Sequence, residues 1–531
     1  MSLRVNNPNE QTVQFKKAMA ILTPTPPQRA IIIGAGIAGL ACAVRLRAAG
    51  YDVTLLERHD TVGGKIRTVP SDAGPIDAGP TVLTLRHVFD DLFAQVGARF
   101  EDHVTLIKQD TLARHFWTDG SSLDLFADQE RSAAAVHAFA GAKAAQQFTR
   151  FCARTARLFD AFDAPMMQAA EPRLGALTAH VLTHPSLIPD MAPLSTLAGM
   201  LRSSFDDPRL RQLFGRYATY VGGSPAQAPA LLSLIWQAEA AGVWVIKGGM
   251  HKLTHALSTV LRTQGVDIRT NAHVDRIEVQ NNCAAAVHLA DGTRLPCDVM
   301  IHAGDPRALP TGALGSATLN VATQTLKAER SYSARVLSFA ATPQGPDLAH
   351  HNVFFADDAA GEFNDLKAGR IPQSPTFYIC ALDRGQGETP PALERFEIIT
   401  NAPAQCDETP DEDLTQWLHQ ITQQMAHFGM SFSPTPDTQT VTTPQAFARM
   451  FPESLGALYG QTPHGMTAAL KRPTARTRIA NLYLAGGGTH PGAGVPMATL
   501  SARHAVEAIL SDRTSTSMSG RTAMPGGMST A

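Results

Sequence analysis

The first readable pattern in the chain is an uninterrupted apolar run, Ala30-Ile31-Ile32-Ile33, ending at Gly34-Ala35-Gly36-Ile37-Ala38-Gly39. Consecutive apolar residues before a glycine turn predict a buried strand. The apolar, alanine-rich stretch over 37–49, stopped by Gly50, predicts a helix, and Val53-Thr54-Leu55-Leu56 a second strand over 52–56. Between 130 and 240, Ala, Leu, Phe and Met recur at helical spacing. Gly248-Gly249-Met250 opens another helix, to about Arg262. Val266 to Val279 and Ala284 to Leu289 predict strands, with Asp291-Gly292 as the next turn. Further strands are expected over Cys297–Ala303, Thr376–Leu382, Phe396–Ile399 and Leu482–Ala485. The last runs through a glycine-rich loop into a helix over Pro496–Leu510.

This pattern divides the chain into a flexible arm (1–29), three nucleotide-domain pieces (30–100, 241–310, 471–512), a substrate or helical insert (101–240), a substrate-domain sheet (311–470) and a disordered tail (513–531). The fold class is α/β with an α+β insert. Met1 and Met19 both stand as possible starts. At 531 residues the chain has room for several domains, and 44% hydrophobic residues suit a large core. A net charge of −2 supplies no basic field for nucleic acid. Cys42, Cys152, Cys283, Cys297, Cys380 and Cys406 show neither CxxC nor metal-ligand spacing, so they read as thiols of a reducing compartment and no metal is expected. No signal peptide is evident. The nearest approach to a membrane span, Pro229 to Ile246, carries Gln237, Glu239 and Gly242. A soluble or peripheral cytoplasmic protein is expected.

The chemistry sits at the two ends. Gly34 permits a tight turn after the first strand, Gly36 lets the backbone approach a pyrophosphate, and Gly39 lets helix and strand pack closely. The helix N-terminus offers free N–H groups and a positive dipole end to the phosphates. Glu57 ends the second strand, where a carboxylate can accept from ribose hydroxyls. The second glycine pair in Val62-Gly63-Gly64-Lys65, close behind Glu57-Arg58, favours FAD in an extended pose over NAD. No second GxGxxG follows a strand, which argues against an internal NAD(P)H domain. Lys65 is either a phosphate contact or a solvated loop lysine. Asp77-Ala78-Gly79-Pro80-Thr81 resembles a loop laid beside the flavin ring.

Together with Arg216–Pro225, Gly242–Met250, Cys297–Asp305, Ser374–Tyr378 and above all Gly488-Thr489-His490-Pro491-Gly492-Ala493-Gly494-Val495-Pro496-Met497, these residues resemble the phytoene desaturase family of carotenoid FAD enzymes, within the amine-oxidase-like flavoproteins. The match spans about 30–510. Met497-Ala498 after Pro496 brings it nearer the bacterial 1-hydroxycarotenoid 3,4-desaturases (hydroxyneurosporene and methoxyneurosporene dehydrogenases). The resemblance implies a Rossmann-like FAD-binding domain assembled from discontinuous segments around an inserted substrate domain. It implies an acyclic C40 carotenoid substrate, a C-3,4 double bond made by hydride transfer to the flavin, quinone or oxygen as acceptor, and peripheral attachment to the inner, photosynthetic membrane. The FAD contacts expected are Gly34, Gly36, Gly39, Glu57, Arg58, Gly64, Lys65, Pro80, Thr81, Val274, Gly486, Gly487, Gly494, Val495, Pro496 and Met497. Phytoene desaturation or carotenoid isomerisation on the same scaffold, and a non-catalytic FAD or carotenoid binder, stand as alternatives. An amine oxidase is disfavoured, because no Cys or aromatic pair flanks 486–497.

The catalytic residue is open. His490 and Tyr220 are candidates, against a structural hydrogen bond for the first and core packing for the second; Trp244 is likewise slot lining or core. Asp305 is expected to shape a turn. The region 160–205, with Met166-Met167, Leu187-Ile188-Pro189 and Leu197–Leu201, reads as a membrane patch or as the core of the insert. Arg202, Arg209 and Arg211 read as headgroup contacts or a solvated face.

Overall fold

The computed structural model describes residues 27–404 and 411–519. Most of the expected arm, most of the expected tail and Cys406 lie outside them.

The three pieces expected to form the nucleotide domain meet in a five-stranded parallel sheet, in the order Leu482–Leu484, Val299–His302, Arg29–Ile33, Asp52–Leu56, Asp267–Arg269. Ile32 pairs with Leu55 on one side and Ile301 on the other. Both faces of this sheet are covered, which is why its strands are continuously apolar rather than alternating. Ala30, Ile32, Val53, Leu55 and Ile301 pack with the helices Ile37–Ala48, His251–Thr263 and Val495–Ser519. Ile31, Ile33, Leu56 and Met300 pack against a three-stranded antiparallel sheet, Val274–Gln280, Cys283–Leu289 and Arg294–Pro296. The α/β class read from the sequence is the one observed.

Three expectations change. The run Val266–Val279 is not one strand: 267–269 edges the parallel sheet, while 274–280 joins the antiparallel one. The break comes at Asn271, in left-handed conformation (φ 53°), a position short polar side chains tolerate. The insert over 101–240 is not only helical. Thr111–Phe116 and Ser122–Phe126 form a hairpin that adds to the far edge of the substrate-domain sheet, and Leu106–Lys108 pairs with Trp244–Ile246. The last helix runs to Ser519, into the stretch expected to be disordered.

The large sheet runs Ser431–Ser433, Ser333–Gln344, Glu394–Ala402, Phe377–Ala381, His351–Phe354, Thr111–Phe116, Ser122–Phe126, with Val441–Thr442 also on Ser333–Gln344. Beside it lie the long helix Gln129–Phe162, interrupted at Gly141 (φ 86°), and a shell of short helices from 174 to 240. Phe148, Phe151, Phe205, Phe214 and Trp236 form the aromatic centre of that shell.

Candidate functional site

At the carboxyl end of the strand Arg29–Ile33 the chain turns at Gly34 (φ +100°), the place where open α/β sheets bind ligands. A Cβ on Gly39 would lie 1.9 Å from the Gly34 carbonyl oxygen, so only glycine lets the helix start this close to the strand. Gly36 caps that helix without a side chain. A Cβ on Gly64 would meet the Gly36 Cα at 3.1 Å, so the two glycine loops touch backbone to backbone. Glu57, buried at the end of the next strand, accepts from the Ala35 N–H at 2.9 Å and the His59 N–H at 3.0 Å.

The second glycine loop closes the same space from the other side. Gly486, Gly492 and Gly494 have φ of +120°, +140° and +113°, which side chains rarely adopt. The buried Arg472 guanidinium ties this loop down, donating to the carbonyls of Gly487 (2.9 Å), Tyr459 (3.1 Å) and Gln461 (3.0 Å). Burial lowers its pKa to about 10. Val495 then begins a helix whose first turn also faces the cavity. Two helix N-termini from opposite ends of the chain thus converge.

They converge on one cavity of about 1090 Å³. Gly34, Gly36, Glu57, Arg58, Gly64, Lys65, Pro80, Thr81, Val274, Gly486, Gly487, Gly494, Val495, Pro496 and Met497 all line it. Gly39 does not; it stands behind the wall as the packing glycine. Lys65 is no solvated loop lysine: its ammonium donates to the Leu458 carbonyl and lies 5.5 Å above the Phe451 ring. Burial lowers its pKa to about 8. Thr81 Oγ1 and the Tyr378 hydroxyl are 2.8 Å apart.

Away from the glycine loops the lining turns apolar, with Phe159, Phe162, Met166, Leu177, Val181, Leu231 and Ile235. The region 160–205 therefore serves in three ways. Met166, Met167, Leu174, Leu177 and Leu182 line the cavity, and Leu197, Met200 and Leu201 are core. Leu174 (61% exposed), Leu182 (70%), Ile188 (42%) and Leu194 are open to solvent. Of the nearby arginines, Arg209 pairs with Asp207 at 2.9 Å, Arg211 donates to the carbonyls of Phe205 and Asp206, and Arg202 is exposed. No helix among the described residues is long and apolar enough to cross a membrane.

The candidate catalytic residues separate. Tyr220 lines the cavity, its hydroxyl accepting from Arg216 at 2.7 Å. His490 is not part of the lining. Its Nε2 bonds the Ala169 carbonyl at 2.9 Å, its ring stacks on His504, and burial lowers its pKa to about 4, which suits the structural role. Trp244 packs into the core beside Gly242. Asp305 caps the turn Pro306–Ala308 and pairs with Arg330. Sequence reading missed Arg216, Glu239, Tyr378, Glu397 and Arg472, which all line the cavity. For Glu397 alone the sequence held a signal, a charged residue between Phe396 and Ile398. It also missed that His350, His351 and Cys380 bring donor atoms within 4.8 Å of one another. These are chained by hydrogen bonds: Cys380 Sγ to His350 Nε2 (3.4 Å), His350 Nδ1 to the Arg384 carbonyl (2.7 Å), His351 Nδ1 to the Tyr378 hydroxyl (2.6 Å).

Residues 37–510 match the family described as flavin containing amine oxidoreductase. The chain belongs to this family. This flavin oxidoreductase has FAD as its cofactor. It is 52% identical to a hydroxyneurosporene desaturase of Cereibacter sphaeroides over 92% of the chain and 99% of the relative. With one of Rhodobacter capsulatus it shares 50% over 91% and 98%. Among solved structures, an oxidoreductase from Methanosarcina mazei shares the fold, with TM-score 0.54 at 15% identity over 90% of this chain and 100% of the other.

Proposed function

We propose that this flavin oxidoreductase is a carotenoid desaturase that introduces the C-3,4 double bond of an acyclic 1-hydroxy or 1-methoxy carotenoid. One observation carries the reading: a single cavity joins a dinucleotide cradle to an apolar slot whose rim bears exposed leucines. The names of the two relatives quoted above support the substrate class.

In this reading the N–H groups behind Gly36 and those of Val495 and Met497 would hold the pyrophosphate and ring edge of FAD, Glu57 would meet the ribose, and Pro80-Thr81 would lie beside the ring. The cradle fits: at Gly34, Gly36 and Gly64 the backbone presents itself with no side chain between it and the cavity. FAD, when bound, supplies the two-electron acceptor for the hydride. The chain's own contribution is positional. The apolar walls exclude bulk water and hold one C–C bond against the ring, positive charge developing at C-4 spreads along the adjoining polyene, and loss of a C-3 proton to a water or a carbonyl oxygen completes the double bond. The exposed apolar rim suits a protein that draws its substrate from a bilayer as a peripheral membrane protein on the cytoplasmic side. Quinone or oxygen then takes the electrons.

The test is anaerobic mixing of FAD-loaded protein with 1-hydroxyneurosporene in liposomes. Flavin bleaching with a red-shifted polyene spectrum is the expected result. Bleaching by phytoene alone would move the substrate within the same class, and no bleaching by either would reopen it.

A further inference from the structure

Glu397 differs from every other charged group named in the cavity wall. On the strand Glu394–Ala402 the lining positions are 397, 399 and 401, one face of the sheet. Register sets Glu397 between Ser338 and Cys380, and Cys380 opposite His351. A row of four buried polar side chains thus crosses four strands, next to a row of Val336, Ile399, Tyr378 and Val353. Neither carboxyl oxygen of Glu397 has a hydrogen-bond partner, and its side chain is fully buried. Other charged groups of the wall are engaged: Glu239 accepts from the Tyr217 hydroxyl at 2.6 Å, and Arg216 donates to Tyr220. The two charges that act on Glu397 also have partners elsewhere. Asp77 bonds His251 Nδ1 at 2.8 Å, and Arg67 donates to Thr442 Oγ1 at 2.7 Å.

An unpartnered buried carboxyl is costly unless a ligand completes it. Burial holds this one well above the usual carboxylate range, which favours its protonated form, against the opposing pull of the Arg67 charge. A neutral acid cannot act as the base that receives a substrate proton. It has one O–H to give and one carbonyl oxygen to accept, which matches an alcohol.

We propose that Glu397 is the specificity-determining residue of this site, hydrogen-bonding the tertiary hydroxyl at C-1 of the acyclic polyene; this rests on the desaturase reading above. C-1 is two bonds from C-3, so a hydroxyl held here fixes which C–C bond lies against the ring. The placement agrees. Tyr378, diagonal to Glu397 across the strand pair, reaches Thr81 in the loop assigned to the ring's side. A 1-methoxy group, an acceptor only, still takes the proton that Glu397 donates.

The experiment compares kcat/KM for anaerobic flavin reduction by 1-hydroxyneurosporene and by neurosporene, which lacks the hydroxyl, in wild type, Glu397→Gln and Glu397→Leu. Wild type should favour the hydroxylated substrate by at least roughly tenfold, since a site built for a hydroxyl rejects the analogue lacking it. Glu397→Gln, still donor and acceptor, should keep most of that ratio; Glu397→Leu should bring it near one by losing activity on the hydroxylated substrate. Equal losses on both substrates in Glu397→Leu, no loss on either, or a collapse of kcat on both in Glu397→Gln would each overturn the assignment while leaving the desaturase reading intact. Reduction by neither substrate in wild type would overturn both. An infrared difference spectrum keeps the test independent of how Glu397→Leu folds. The carbonyl stretch of a protonated acid should shift on binding 1-hydroxyneurosporene, not neurosporene, and should be missing in Glu397→Gln. An unshifted band overturns the proposal.

Discussion

Gly39 is the residue where the cradle has least tolerance. Its missing Cβ leaves a 1.9 Å gap to the Gly34 carbonyl, which is backbone and cannot swing aside. Gly39→Ala must push the helix off the strand, and overpacking of this kind costs about 1–3 kcal/mol or more. The displaced N–H groups then miss the pyrophosphate. We expect the ratio of FAD to protein after gel filtration to fall at least tenfold; full flavin loading of Gly39→Ala would show that the helix can yield. Buried histidines set a second residue-scale expectation. Burial lowers His490 to about 4 and His115 to about 3, from an ordinary 6.5. The unfolded chain therefore binds more protons than the folded one between these values. Stability is fully present above pH 6.5 and is lost as pH falls toward 4, each histidine contributing about 1.4 kcal/mol per pH unit. Glu362 and Glu397, raised by burial, work in the opposite sense, favouring the fold as pH falls toward the ordinary carboxyl value. A urea midpoint that stays flat between pH 7 and 5 would contradict the dominance of the histidines.

At the scale of elements, the helix Leu174–Thr183 joins the cavity to the surface. Leu177 and Val181 face inward with the lining, while Leu174 and Leu182 are mostly exposed and also reach the cavity. Leu174→Asp with Leu182→Asp should lower partition into anionic liposomes at least tenfold, because burying a leucine is worth about 1.5–3 kcal/mol. The FAD content should not change. Equal flotation of variant and wild type would remove this helix from membrane contact. This element also shows what the sequence could convey. The strand–helix–strand at 29–56 and the final strand and helix were legible, because continuous apolar runs bounded by glycines admit few readings. The hairpin 111–126 was not, since its strands are short and its pairing depends on His351–Phe354, more than two hundred residues on. Thr270-Asn271 marks the split in 266–279, but only as a polar dent in a longer pattern. The glycine-loop contacts could be named one by one because backbone approach demands glycine. Glu397, Arg216 and Arg472 escaped because their significance lies in what the fold brings against them, across the sheet for Glu397 and at loop carbonyls and Tyr220 for the two arginines, not in their sequence neighbours.

For the whole molecule, the cofactor joins what the chain separates. The cavity is walled by segments near 34, near 303 and near 487, which follow three neighbouring strands of one parallel sheet and which the proposed dinucleotide would span. Within the sheet, Val299–His302 holds the first and last pieces together through three or four paired residues on each side. The loop Gly486–Gly494 has no such ladder. It is held by single hydrogen bonds, from Arg472 to the Gly487 carbonyl, from the His490 N–H to the Pro473 carbonyl (2.8 Å), from His490 Nε2 to the Ala169 carbonyl and from the Gly486 N–H to Ser501 Oγ (3.2 Å), and by whatever fills the cavity. Since FAD binds the folded cradle and not the unfolded chain, its presence at a thousandfold above Kd adds about 4 kcal/mol. For a protein of this size we expect the apoprotein to melt roughly 4 °C lower. The loss should also be localised. In the apoprotein, hydrogen exchange should quicken first in 486–497 and 63–81, the glycine-loop segments that face the cofactor, while the strand amides of 30–33 and 299–302 keep their protection. Uniform quickening across the parallel sheet would mean that FAD holds the sheet itself. No change in 486–497 would mean that the protein's own bonds to this loop, those of Arg472 and His490 among them, are enough to keep it closed.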